Sequence, residues 1–161
     1  VSTVSGRMET LGGHDRPLVV IVYAHTPDAL QHVLSALREH TTGTLWCVFG
    51  CGGDRDRQKR PLMGRIAEEY ADRVVLTNDN PRHESPVDII EEILTGMVYP
   101  DKAYVERDRR QAIETVIQNA SSQDVILIAG KGHENYQQIG DQKRPFSDMA
   151  EVQLQLKRFG S

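Results

Sequence analysis

Four short stretches of this chain concentrate residues that could do chemistry: Tyr23-Ala-His-Thr-Pro-Asp28, Gly50-Cys-Gly-Gly-Asp-Arg-Asp56, Asn78-Asp-Asn-Pro-Arg-His-Glu84 and Gly130-Lys-Gly-His-Glu134. Arg55 and Arg82 bring forked donors that match a carboxylate or a phosphate. Asp79 and Glu134 can accept from an ammonium group, and Asn80 can donate or accept. Together these groups suit a zwitterion such as an amino acid. Each taken singly would serve equally as a surface ion pair, and Asp79-Asn80-Pro81 is also good turn chemistry. His25 and His133 either hydrogen-bond a ligand or brace their loops.

The glycine-marked stretches fail as nucleotide motifs. Gly50–Asp56 has no Lys-Ser or Lys-Thr at phosphate-loop spacing, and Gly130-Lys-Gly lacks the preceding GxxxxGK[ST] arrangement. No GxGxxG opens a helix. A chain without a phosphate loop is not expected to be a complete ATP-using enzyme. Cys47 and Cys51, four residues apart, have no second ligand pair, so no metal site is expected and reduced thiols are.

The elements that must position these loops follow from hydrophobic patterning. Apolar runs at Leu18–Tyr23, Leu45–Phe49, Val74–Thr77, Ala103–Val105 and Val125–Ala129 predict strands, the first and last covered on both faces. Between them, four stripes repeat the spacing i, i+1, i+4, i+5, i+8, beginning at Ala29, Leu62, Ile89 and Ala112. Thr26-Pro27 and Ser85-Pro86 put a capping hydroxyl before a proline at the first helical position. A last helix is expected over Ser147–Arg158, and Tyr136–Phe146 adds a hairpin or an antiparallel edge strand. This alternation predicts an α/β fold: a doubly wound, mostly parallel sheet with helices on both faces. All four polar stretches then leave the carboxyl edge of the sheet, where ligands bind in open α/β folds.

A length of 161 residues suits one domain, and a net charge of −4 gives no electrostatic case for nucleic acid or an anionic membrane. No apolar run approaches the roughly 18 residues needed to span a bilayer. The chain opens at Val1 in a turn-rich stretch, which reads as a linker cut from something longer, a cloning scar or a processed terminus. Residues 1–17 are assigned to that linker and 18–161 to the domain.

Five motifs stand in a telling order: Tyr-Ala-His-Thr-Pro-Asp, Val-Phe-Gly-Cys-Gly-Gly-Asp-Arg-Asp, Lys-Arg-Pro-Leu-Met, Asp-Asn-Pro-Arg and Gly-Lys-Gly-His-Glu. With them the whole chain, from Gly6-Arg-Met-Glu9 onward, resembles the Rossmann-like C-terminal domain of a Mur ligase. The resemblance is to ligases that add meso-diaminopimelate to UDP-N-acetylmuramoyl-L-alanyl-D-glutamate. It implies a cytoplasmic, monomeric enzyme of peptidoglycan synthesis with two further domains, one for the UDP-sugar peptide and one carrying the phosphate loop and magnesium ligands. In that family ATP phosphorylates a carboxylate, and the incoming amine attacks the acyl phosphate. By motif position, Arg55, Asp79, Asn80, Arg82, Gly130 and Glu134 would bind diaminopimelate, and Arg7, Tyr23 and His25 would contact ATP. The fragment by itself would carry no catalytic residue, no metal, and no activity. Val22 departs from the pattern: the family has aspartate there, whose carboxylate holds the ATP ribose. The competing readings are a stand-alone amino-acid-binding module, or a relative adding another amino acid, including glutamate to folate.

Overall fold

Uninterrupted Val, Ile and Leu runs are stable as strands where helices cover both faces of the sheet, and that is their environment here. In the computed structural model, which describes residues 8–160, β1 (Met8–Gly13), β2 (Arg16–Val22), β3 (Leu45–Phe49), β4 (Arg73–Leu76), β5 (Tyr104–Val105) and β6 (Val125–Ala129) form one sheet. Its order is β1-β2-β6-β3-β4-β5, and every neighbouring pair is parallel except β1 with β2.

Side-chain alternation splits the core in two. Val20, Val22, Cys47, Phe49 and Leu127 face α1 (Pro27–Arg38), α2 (Lys59–Tyr70) and α3 (Pro86–Leu94). Val19, Ile21, Val48 and Ile128 face α4 (Arg109–Asn119) and α5 (Asp148–Arg158). Each large aliphatic side chain so removed from water contributes about 1.5–3 kcal/mol. The expected caps are in place: Thr26 Oγ1 accepts from the Ala29 N–H at 3.1 Å and Ser85 Oγ from the Asp88 N–H at 3.3 Å. Cys47 and Cys51 are free and buried, and burial pushes the Cys51 thiol up to about 12, so it packs as a neutral group.

The topology creates a crevice. α1 carries the chain from β2 past β6 to β3 on one face, whereas α4 returns it from β5 to β6 on the other. At the carboxyl ends of β2, β6 and β3 the connections therefore diverge to opposite faces, as at the ligand crevice of open α/β sheets.

Two stretches differ from the sequence expectation. Within the segment read as linker, Met8–Gly13 is a strand, with Met8 opposite Val22 and Leu11 opposite Val19. The Gly12-Gly13 pair is the corner of that hairpin: both residues have positive φ (78° and 94°), and a Cβ on Gly12 would stand 2.3 Å from the Pro17 carbonyl oxygen. The antiparallel edge strand is thus β1. Tyr136–Phe146 supplies the hairpin alternative instead, as β7 (Tyr136–Ile139) and β8 (Gln142–Pro145) paired with each other in a separate two-stranded sheet, with an isolated bridge from Ile139 to Arg82. None of its strand residues is buried, which leaves it no apolar face to add to the main sheet.

Candidate functional site

Two of the four polar loops, those after β3 and β4, are seated on two buried arginines. Arg109, on α4, donates through Nε and Nη2 to Asp148 at 2.8 Å each and through Nη1 to the Asn78 carbonyl at 3.0 Å. Arg60, on α2, donates to Glu84 at 2.7 and 2.9 Å, to Glu92 at 3.1 Å and to the Gly52 carbonyl at 2.8 Å. The Arg60 guanidinium holds the Glu84 carboxyl down at about 2. Backbone also meets backbone directly: a Cβ on Gly50 would lie 2.0 Å from the Thr77 carbonyl oxygen, and one on Gly53 would lie 1.8 Å from that of Pro81. The loop after β3 and the loop after β4 are therefore in contact along their length, with the Gly53 N–H donating to the Asn80 carbonyl at 2.8 Å.

Where the loops converge, a hollow of about 110 Å³ is lined by Tyr23, His25, Gly52, Arg55, Lys59, Asp79, Asn80, Arg82 and Glu134. Tyr23 and Glu134 also line an adjoining cleft of about 290 Å³ with Lys131 and His133. Most of the residues singled out from sequence meet here, although they come from four separate loops. Asp79 and Asn80 are buried at the base. Arg82 has a left-handed backbone (φ 51°); its Nη1 donates to the Gly53 carbonyl at 2.9 Å, and its own N–H donates to the Gln138 carbonyl at 3.0 Å. Arg55 is exposed and, among the described residues, donates only to its neighbour, the Asp54 carbonyl, at 2.9 Å. Gly130 does not line the hollow but makes it possible: with φ 122°, a Cβ there would come within 2.5 Å of Asp79 Oδ2.

On the other side of Tyr23, a cleft of about 500 Å³ is lined by Val22, Ala24, Thr26, Asp28, His32 and Val33. The Tyr23 and His25 rings stack edge to face at 4.1 Å. Burial, helped by the nearby Lys59 ammonium, lowers the His25 pKa, so its imidazole is neutral at pH 7. His133 braces β1, with Nε2 3.4 Å from Glu9 Oε2. Arg7 lies outside the described residues. Among the described residues, no group of three or more His, Cys, Asp or Glu side chains could hold a metal ion, and no helix is long and apolar enough to cross a membrane.

Sequence reasoning missed the cations under the site. Lys131 is fully buried, with Nζ 2.9 Å from Asn80 Oδ1 and 3.1 Å from Glu134 Oε1. Lys59 ties α2 to the first loop by donating to the His25 carbonyl at 2.7 Å. The signal for Lys131 was its place between two glycines in a loop that follows a wholly buried strand. Sequence reasoning offers a hairpin at Tyr136–Phe146 as one alternative but does not bring it to the site, where it holds the loop after β4. Gln137 Nε2 donates to the Asp79 carbonyl at 2.8 Å, and the Gly140 N–H to the Arg82 carbonyl at 2.7 Å.

Known proteins resemble this chain in sequence and fold. Residues 6–132 match the family described as Mur ligase, glutamate ligase domain. The UDP-N-acetylmuramoyl-L-alanyl-D-glutamate--2,6-diaminopimelate ligase of Haemophilus ducreyi is 59% identical over 149 residues, 91% of this chain and 30% of that protein. The enzyme of the same name from Pseudomonas syringae pv. tomato is 54% identical over 155 residues, 96% of this chain and 32% of that one. A solved structure of a ligase with that name superposes with a TM-score of 0.90 at 45% identity, covering 98% of this chain and 32% of its own. The chain thus spans about a third of the length of these relatives. On the family match over most of its length, the chain belongs to the Mur ligases, as a glutamate ligase domain.

Proposed function

We propose that this chain is the amino-acid-receiving domain of a ligase that adds meso-diaminopimelate to UDP-N-acetylmuramoyl-L-alanyl-D-glutamate in cytoplasmic peptidoglycan synthesis. The observation that carries the reading is the hollow that gathers Arg55, Arg82 and Asn80 beside Asp79 and Glu134. Donors for a carboxylate face acceptors for an ammonium across one small space, which is the complement of an amino-acid terminus. Two similar proteins named as diaminopimelate ligases support the choice of amino acid.

In this reading Arg55, Arg82 and Asn80 take the distal carboxylate, and Asp79 and Glu134 take the ammonium beside it. Lysine lacks that carboxylate, so a lysine complex would leave Arg82 desolvated and unpaired, at a cost of about 1–3 kcal/mol. Tyr23 and neutral His25 stand at the boundary with the second cleft, where they would contact ATP together with Arg7. The side chain of Val22, buried at the end of β2, cannot accept a hydrogen bond there. The phosphate loop and the magnesium ligands belong to other domains of the whole enzyme, with β1 and β2 counted in the sheet of this one. By itself the chain binds and orients the amino acid and does not form the amide.

The test is a titration of the isotope-labelled chain with meso-diaminopimelate and then with lysine, followed by amide shifts. Shifts confined to the loops of Arg55, Asn80, Arg82 and Glu134, with meso-diaminopimelate alone, are expected. An equal response to lysine would reduce the ligand to an unspecified amino acid and remove the discriminating role of Arg82.

A further inference from the structure

Lys131 is held in the interior by the loop after β6, between Gly130 and Gly132, both with positive φ (122° and 55°). Burial lowers its pKa, and the Asp79 carboxylate opposes that shift. Its Nζ sits 5.3 Å above the Tyr136 ring and donates to Asn80 Oδ1 and Glu134 Oε1. The Gln138 N–H of β7 donates to the same Asn80 oxygen at 2.9 Å. An ammonium group and a backbone N–H can only donate, so both demand the oxygen end of the Asn80 amide. The two ends of an amide are otherwise nearly interchangeable in shape, and only the hydrogen-bond network tells them apart.

With the oxygen fixed inward, Asn80 Nδ2 gives one proton to Glu134 Oε1 at 3.2 Å. Its second proton has no partner among the described residues, at a residue that lines the hollow. Glu134 Oε1 accepts from both Lys131 and Asn80, whereas Oε2 accepts from no described residue.

We propose that Lys131 is a positioning residue for amino-acid recognition: its ammonium group locks the Asn80 amide oxygen-inward, so that Asn80 offers a donor and Glu134 an acceptor to the ligand. This rests on the reading of the hollow as a diaminopimelate site. The lock decides which end of a zwitterion lies at which residue, carboxylate toward Asn80 and ammonium toward Glu134.

The test uses Lys131→Met in this chain, which keeps most of the side-chain volume and removes the charge. In the ligand-free protein, the Asn80 side-chain amide resonances are expected to move, because one of the two donors on its oxygen is gone. Affinity for meso-diaminopimelate is expected to fall about tenfold, with that for lysine changing less than about threefold. Unmoved Asn80 side-chain resonances in a folded variant would overturn the proposal, whether or not the chain binds diaminopimelate. Moved resonances in a chain whose wild type ignores meso-diaminopimelate would remove that ligand and keep the lock. Should Lys131→Met not fold, Asn80→Asp decides: it keeps the acceptor for Lys131 and Gln138 and replaces the Nδ2 donor by a charged oxygen facing Glu134 Oε1. Folded Asn80→Asp is expected to bind meso-diaminopimelate about tenfold more weakly, and unchanged binding would overturn the proposal.

Discussion

Asp124 and Asp79 are both buried carboxylates, at opposite ends of the sheet. Asp124, just before β6, is saturated: Thr44 N–H and Ser121 hydroxyl donate to Oδ1 at 2.9 Å each, and Trp46 Nε1 and Ser121 N–H to Oδ2 at 3.0 Å each. Burial would raise its pKa, but these donors hold it below the usual aspartate value. Asp79, just after β4, accepts no hydrogen bond through its carboxylate from any described residue, and the loop opposite it is glycine where a Cβ would collide. The donors around Asp124 fill its carboxylate, whereas the Asp79 carboxylate is left available to the hollow. Satisfied hydrogen bonds mark architecture, and unsatisfied ones in a braced hollow mark a place for something else.

The contrast is broken most severely at the saturated groups. Replacing Arg109 by Met strands the fully buried Asp148 carboxylate and frees the Asn78 carbonyl, so urea unfolding should show a loss of about 3–5 kcal/mol. A loss below about 1 kcal/mol would mean that this pair does not anchor the loops. Next comes the matched pair of carboxylates. Asp124→Ala should cost about 3 kcal/mol of stability, whereas Asp79→Asn should change stability by less than about 1 kcal/mol and abolish the amide shifts caused by meso-diaminopimelate. Equal stability costs at the two ends would erase the distinction.

Glu84 gives the most graded effect. Its folded pKa of about 2 lies below the ordinary 4.5, so its contribution is present above pH 4.5 and is lost as the pH falls toward 2. Wild-type stability should decline by roughly 2 kcal/mol more than that of Glu84→Gln across this window, measured by denaturant titration at several pH values. Parallel profiles would show that the Arg60–Glu84 pair contributes nothing specific.

The hydrophobic code made the parallel core readable, because Val125–Ala129 and Leu18–Val22 admit no other two-faced burial. The edge strand β1 was opaque for a physical reason. Its residues are only half-covered, and Glu9, Thr10 and the two glycines carry no apolar alternation. Asp79, Asn80, Arg82 and Glu134 could be grouped from sequence because each follows a strand and all such loops exit one edge. Arg60 and Arg109 could not, since an arginine in a helix reads as a solvated charge until a carboxylate from 24 or 39 residues away meets it. Lys131 was hidden in the same way, by partners it acquires only on folding.

The contacts of Gly50 with Thr77 and of Gly53 with Pro81 have an evolutionary corollary. Two loops that touch backbone to backbone leave no slack for an inserted or deleted residue in just one of them. Insertions and deletions in these segments should therefore arise in pairs across a lineage, and a graft that exchanges the loop after β4 between relatives should succeed only when the loop after β3 travels with it.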